Sequence, residues 1–153
     1  MKIAHSTEEK KMKKIMIVVL SASVIAVVFF IVVFIEVFYP KAKPIKVPPV
    51  NLISSVTLSG EDRTPEVNVD EADIESICSV IADVKPTRRQ SFDDNPVVRP
   101  YCKIEILASD IWYRYYIYET GTEVFIEVPY EGIYESNKHA FDYIMGYYQN
   151  VGQ

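Results

Sequence analysis

Residues 101–128, YCKIEILASDIWYRYYIYETGTEVFIEV, decide the fold. They contain three runs in which apolar and other side chains alternate with a period of two. Cys102, Ile104 and Ile106 share one face of the first run, with Lys103 and Glu105 opposite. Ile111, Tyr113, Tyr115 and Ile117 share a face of the second. Val124, Ile126 and Val128 share a face of the third, opposite Glu123, Phe125 and Glu127. A period of two is the pattern of strands that bury one face. The connections Ala108-Ser109-Asp110 and Glu119 to Thr122, with Gly121, are short enough for antiparallel hairpins.

Working outward, Val50 to Ser59 is rich in β-branched residues and stops at Gly60, which reads as an earlier strand. Asp70 stands where a helix N-cap would, with Glu71 and Asp73 in the first turn, where the helix dipole favours negative charge. Ile74, Ile77, Cys78 and Ile81 follow as one helical stripe, which Pro86 should end. Thr87 to Pro100 is polar and reads as a loop. Downstream, Pro129 to Glu135 reads as a connection. Ser136 or Asn137 can cap a last helix with the stripe Phe141, Ile144, Met145 and Tyr148. The order β-α-β-β-β-α predicts an α+β domain over residues 50–150, a small antiparallel sheet of about four strands with two helices on one face.

A different pattern precedes this domain. Residues 15–38, IMIVVLSASVIAVVFFIVVFIEVF, are 24 residues with one charge, Glu36. A helix of that length extends about 36 Å, enough to cross a hydrocarbon layer of about 30 Å. Residues 1–14 carry five Lys against two Glu, which keeps this tail cytoplasmic and predicts an extracytoplasmic domain. The tail is too short to hold an effector domain, so a sensor would need a partner in the membrane. The long apolar run, followed by Phe38-Tyr39-Pro40-Lys41, fits an uncleaved signal anchor better than a cleavable signal peptide. Ser21, Ala22 and Ser23 are a slight hint of helix pairing. Residues 39–49 include PKAKPIKVPP, with four prolines, and read as an extended semi-rigid linker.

Beyond residue 39 the chain carries 11 Lys and Arg against 18 Asp and Glu. That balance argues against a nucleic-acid partner, since a phosphate backbone demands a basic surface. It also predicts repulsion from anionic lipid, so the domain should stand off the bilayer. The envisaged partners are the membrane that the helix spans and an envelope protein, peptide or polymer.

The run KPTRRQSFDDNPVVRPYCKIEI, then YRYYIY and FIEVPYEGIY, resembles a Gram-positive bacterial family of small exported domains of unknown function. The likeness rests on Thr87-Arg88-Arg89-Gln90-Ser91 with Asp94 and Pro96, and on Pro129 to Tyr134. Members resemble lipoproteins or membrane-anchored proteins. The resemblance therefore implies location and domain limits, and no activity.

Three sets of residues are candidates for chemistry. Trp112, Arg114, Tyr116 and Tyr118 occupy the sheet face away from the helices, with Tyr101 and Phe125 beside them. Trp, Tyr and Arg are enriched at binding hot spots, because they bring rigid area with a polar tip. The same residues in cross-strand pairs would simply stabilise the sheet. The loop residues Arg88, Arg89, Ser91, Asp93 and Asp94 form the second set. They either clamp an anion, as an envelope enzyme or inhibitor would, or pair internally and hold the loop on the sheet. Cys78 and Cys102 lie on core faces and are a candidate disulfide or two buried thiols. No metal, cofactor or nucleophile motif is present in the sequence, and the reading is of a binding module, not an enzyme.

Overall fold

The computed structural model describes residues 2–61 and 66–151, with side chains from residue 11 onward. It divides into two compact units at Pro40/Lys41.

The first unit is one helix, α1 (Lys2–Phe38). Its stretch Lys11–Phe38 is long and apolar enough to span a membrane, and its side chains are exposed throughout. The hydroxyls of Ser21 and Ser23 donate to the carbonyls of Val18 and Leu20, at 2.9 and 2.8 Å. Bonding within its own helix leaves neither hydroxyl in need of a partner in lipid.

The second unit is an antiparallel sheet with two helices packed on one face. A short 3-10 turn (Val50–Leu52) leads into β1 (Ile53–Ser59). β2 (Val67–Asn68), α2 (Glu71–Ala82) and β3 (Lys85–Pro86) follow. Then come β4 (Tyr101–Ala108), β5 (Ile111–Thr120), β6 (Glu123–Val128), β7 (Gly132–Ser136) and α3 (Lys138–Val151). The strand order is β2-β1-β4-β5-β6-β7-β3.

The α+β class, the antiparallel pairing and the start of α2 after Asp70 agree with the sequence reading; the strand count does not. Seven strands replace the four expected. β2 and β3 hold only two residues each, too few for any periodicity. β7 lies in the segment read as a connection, where Pro129 and Gly132 mask a five-residue strand. Pro86 does not stop α2, which ends at Ala82; it sits on β3 at the sheet edge, where a missing N–H costs no ladder bond.

The core lies between the helices and the sheet. Ile74, Ile77, Cys78 and Ile81 of α2 and Ala140 and Ile144 of α3 meet Cys102, Ile104, Ile106, Tyr115, Ile117, Val124 and Ile126. Asn137 caps α3, accepting the Ala140 N–H at 2.8 Å. Asp70 precedes α2 without a side-chain cap; its own N–H donates to the Tyr147 hydroxyl of α3. The two cysteines are free thiols and not a disulfide, and both are buried. Burial raises both thiols, Cys102 to about 12, so they behave as small apolar groups.

Residues 41–49 are not a free spacer. The Ala42 N–H donates to the Thr87 carbonyl at 2.8 Å, and the Tyr134 hydroxyl donates to the Lys43 carbonyl at 2.8 Å. Tyr115 donates likewise to the Lys46 carbonyl. Ile45 and Val47 pack on the core, and Pro48 is buried. Proline suits this role, since an extended strap held by side-chain donors does not need its own N–H groups. The folded domain accordingly starts at Lys41 rather than at Val50.

Candidate functional site

The sheet face away from the helices is where the sequence places its aromatic row. The register confirms the row: Tyr101 lies opposite Tyr118, Lys103 opposite Tyr116, Glu105 opposite Arg114 and Leu107 opposite Trp112. Across the other edge of β5, Glu127 lies opposite Tyr116 and Phe125 opposite Tyr118.

This face is not open as expected. The loop from Thr87 to Pro100 lies over its β5–β6 half and buries Tyr116 to 1%, Tyr118 to 3% and Phe125 to 3% exposure. Ser91 Oγ donates to Glu127 Oε1 at 2.7 Å, and the Tyr118 hydroxyl donates to Oε2 at 3.1 Å. The Tyr116 hydroxyl donates to Asn95 Oδ1 at 2.7 Å. The Arg89 guanidinium stands 4.8 Å over the Phe125 ring, a cation–π contact. Tyr101 is half-buried and meets Tyr116 edge-on, with centroids 5.2 Å apart. Burial pushes the Tyr116 and Tyr118 phenols upward, which keeps them neutral donors near neutral pH. Tyr116, Tyr118 and Phe125 are therefore a second, smaller core under a lid, and the loop is bonded to the sheet. Arg88 is half-buried within this loop, and Asp93 is exposed beside it.

Two residues of the row remain open, Trp112 at 59% exposure and Arg114. β5 runs beyond β6, whose pairing with it begins only at Tyr116, so Ile111 to Tyr115 project past the neighbouring strand. The turn after β6 folds back toward them. Its Tyr130 takes a left-handed backbone, φ 61°, and its hydroxyl donates to Asp94 Oδ1 at 3.0 Å. Between these parts lies a cleft of about 530 Å³, lined by Lys46, Asp94, Trp112, Arg114, Tyr130 and Glu131 among others. Asp94 and the strap residue Lys46 thus line the same cleft as Trp112. Sequence reading missed Tyr130, which no periodicity connects to β5. Its one signal was its place in the segment PYEGIY.

Arg114 is held by Glu105. Its Nε donates to Glu105 Oε1 at 2.9 Å, and Lys103 Nζ lies 2.8 Å from Oε2. Burial pulls the Glu105 carboxyl upward, but the two cations outweigh it and leave the group below its ordinary value of 4.5. A lowered carboxylate contributes stability at neutral pH that is lost as pH falls through its folded value. Glu105→Gln should therefore flatten the acid side of a stability-against-pH curve measured by thermal unfolding. The loss at pH 7 should be below about 1 kcal/mol, because Arg114 is largely solvated. An unchanged acid limb would show that the pair does not contribute.

A second groove, about 440 Å³, separates α2 from α3 and is lined by Glu75, Ser76, Ser79, His139 and Tyr143 among others. Among the described residues, no group of three or more His, Cys, Asp or Glu side chains comes together to hold a metal.

The fold and surface define a class: a small α+β domain, its sheet lidded on the face away from the helices, in a chain that begins with one apolar helix. Within that class, the chain belongs to the DUF5301 family, described as a domain of unknown function (DUF5300), whose model matches residues 41–135. The match opens at Lys41, where the strap begins. The chain is also similar to an NMR structure of a protein from Ruminococcus gnavus, with 31% sequence identity over 60% of this chain and 89% of that one, at a TM-score of 0.49. No curated protein matches.

Proposed function

We propose that this chain is a single-pass membrane protein with a cytoplasmic N-terminus, and that its extracytoplasmic domain is a binding module. Its working surface is the cleft beside Trp112, Arg114 and Tyr130. The observation that carries this reading is the selective exposure of Trp112 and Tyr130, at 59% and 66%, around one concave site. Tyr116, Tyr118 and Phe125 of the same face are buried under the lid, so the fold has somewhere to put aromatic area and leaves these two at the cleft. The orientation is supported by the Lys-rich tail at residues 1–14. The setting we favour is a Gram-positive cell envelope, from the likeness of the TRRQS and PYEGIY segments to exported domains.

The alternative of an envelope enzyme or inhibitor acting through Arg88 to Asp94 has less support. Ser91 is engaged with Glu127, Asp94 with Tyr130, and Arg89 with Phe125.

A photo-crosslinking residue at position 112 of the full chain, irradiated in intact cells, tests the reading. Adducts at position 112 but not at the exposed far-end position 122 are expected. Equal adducts at both, or none at 112, would count against a binding role for the cleft.

A further inference from the structure

We infer that the Trp112–Tyr130 end of the domain rests in the lipid headgroup layer, so that the ligand of this surface is the bilayer itself. The inference rests on the anchored-module reading above. It begins with the length of the chain. Phe38 ends the apolar helix and Ala42 is already bonded to Thr87, so only Tyr39, Pro40 and Lys41 lie between. Four peptide steps reach at most about 14 Å. The headgroup layer on each side of the hydrocarbon is about 5–8 Å thick. Ala42 is thus confined to the headgroup layer or just above it.

The sheet register shows what else shares that end of the domain. A Cβ on Gly132 would lie 2.6 Å from the Ala42 Cβ, so the strap starts against β7. Gly132 pairs with Val128, and the turn carrying Tyr130 joins them. Ala108 pairs with both Ile53 and Ile111, and the Ser109 N–H donates to the Leu52 carbonyl, which brings the β4–β5 turn and the start of β1 to the same end. The exposed side chains there are Trp112, Tyr130, Ile111 at 56% and Leu52 at 47%. The opposite end, around Gly121, presents Thr120, Thr122, Glu123 and the Lys138–Glu119 pair. The end that the tether holds near lipid groups four of the domain's exposed large apolar side chains, whereas Phe92 and Val97 stand on the lid and Val151 at the end of α3.

Charge does not oppose the contact. Lys46 and Arg114 share the cleft with Asp94 and Glu131, and Lys41, Lys43 and Asp110 belong to the adjoining strap and turn, close to balance. The nearby Glu105 is paired with Arg114 and Lys103, and exposed charges farther away than about 8 Å are screened at physiological salt. Aromatic rings with polar tips favour the interfacial layer, whatever the headgroup charge. The short tether also makes the encounter intramolecular, at an effective concentration of millimolar order, so a weak contact suffices. The domain is therefore held down on the membrane, contrary to what its net charge alone implies.

Trp112 is the chain's one tryptophan and reports on this directly. The full chain is reconstituted into phosphatidylcholine vesicles, with and without lipid brominated high on its acyl chains. The emission of Trp112 should be blue-shifted and strongly quenched by the brominated lipid. In a Trp112→Phe, Thr122→Trp variant, emission should be solvent-like and unquenched. Solvent-like, unquenched emission from Trp112 in protein that co-floats with the vesicles would overturn the lipid contact. Protein that fails to co-float, or is stripped by alkaline carbonate, would overturn the anchored reading beneath it. A protein adduct in place of a lipid adduct at position 112 in cells would also overturn the assignment.

Discussion

Gly132→Ala should destabilise the domain by about 1–3 kcal/mol, the usual range for forcing a methyl group into filled space. The new Cβ would stand 2.6 Å from the Ala42 Cβ, with the Arg89 carbonyl at 3.7 Å. The carbonyl is at ordinary contact distance, but the Ala42 Cβ is no long side chain that can swing aside. The strap is held by the bonds of Thr87, Tyr134 and Tyr115 to its backbone. Each contributes about 0.5–1.5 kcal/mol net, so the clash competes with one or two of them and should lift the first residues of the strap. Ala42→Gly removes the atom being struck. In that background Gly132→Ala should cost less, with the strain of an alanine at φ 159° remaining, and the difference between the two backgrounds measures the contact itself. Thermal unfolding of the full chain in nanodiscs reads all four proteins. Equal losses in both backgrounds would show that the glycine is needed for its backbone and not for the strap.

The lid should be the other weak point. Glu127 is a carboxylate at 6% exposure whose two oxygens accept from Ser91 and Tyr118. A buried charge that loses a hydrogen-bond donor is left under-solvated, which costs about 1.5–3 kcal/mol per donor. Ser91→Ala should lose that amount, and Ser91→Ala with Tyr118→Phe roughly twice as much. The expected structural result is release of residues 87–100 and faster hydrogen exchange at Tyr116, Tyr118 and Phe125. If the double variant keeps full stability and slow exchange, Glu127 does not hold the lid. The contrast with surface pairs is instructive. Lys138 reaches Glu119 at 2.9 Å and Asp142 at 3.2 Å, yet these pairs are exposed and screened by solvent, so they add little.

What the sequence made legible follows from periodicity. The three hairpin strands, β1, α2 and α3 each carry several apolar residues at a regular spacing, so their inner faces could be read one residue at a time. β2 and β3 exist only because β1 and β7 offer ladder partners, which no local pattern encodes. The strap did carry a signal. Ile45 and Val47 flank Lys46 with strand-like spacing, but the surrounding prolines drew the reading toward a spacer. The lid shows a deeper limit. Alternation assigned Trp112, Tyr116, Tyr118 and Phe125 to one face without saying how much of it stays open. Coverage depends on long-range partners: Asn95 for Tyr116, Ser91 for Glu127 and Arg89 for Phe125. The balanced charges of the loop suggested that it pairs with itself. Instead Arg89 stacks on an aromatic ring, and Asp94 accepts from Tyr130 on the next turn.

The central claim is that the domain is anchored outside the membrane by the apolar helix. Cys78 and Cys102 are buried with raised thiols, so the folded wild type should be silent to a membrane-impermeant maleimide. Single cysteines can then be introduced on either side of the helix, at the exposed Thr122 and at Ser6 in the tail. On intact cells, Thr122→Cys should label at once and Ser6→Cys only after permeabilisation. Labelling of Ser6→Cys on intact cells, with Thr122→Cys protected until the membrane is opened, would contradict the account.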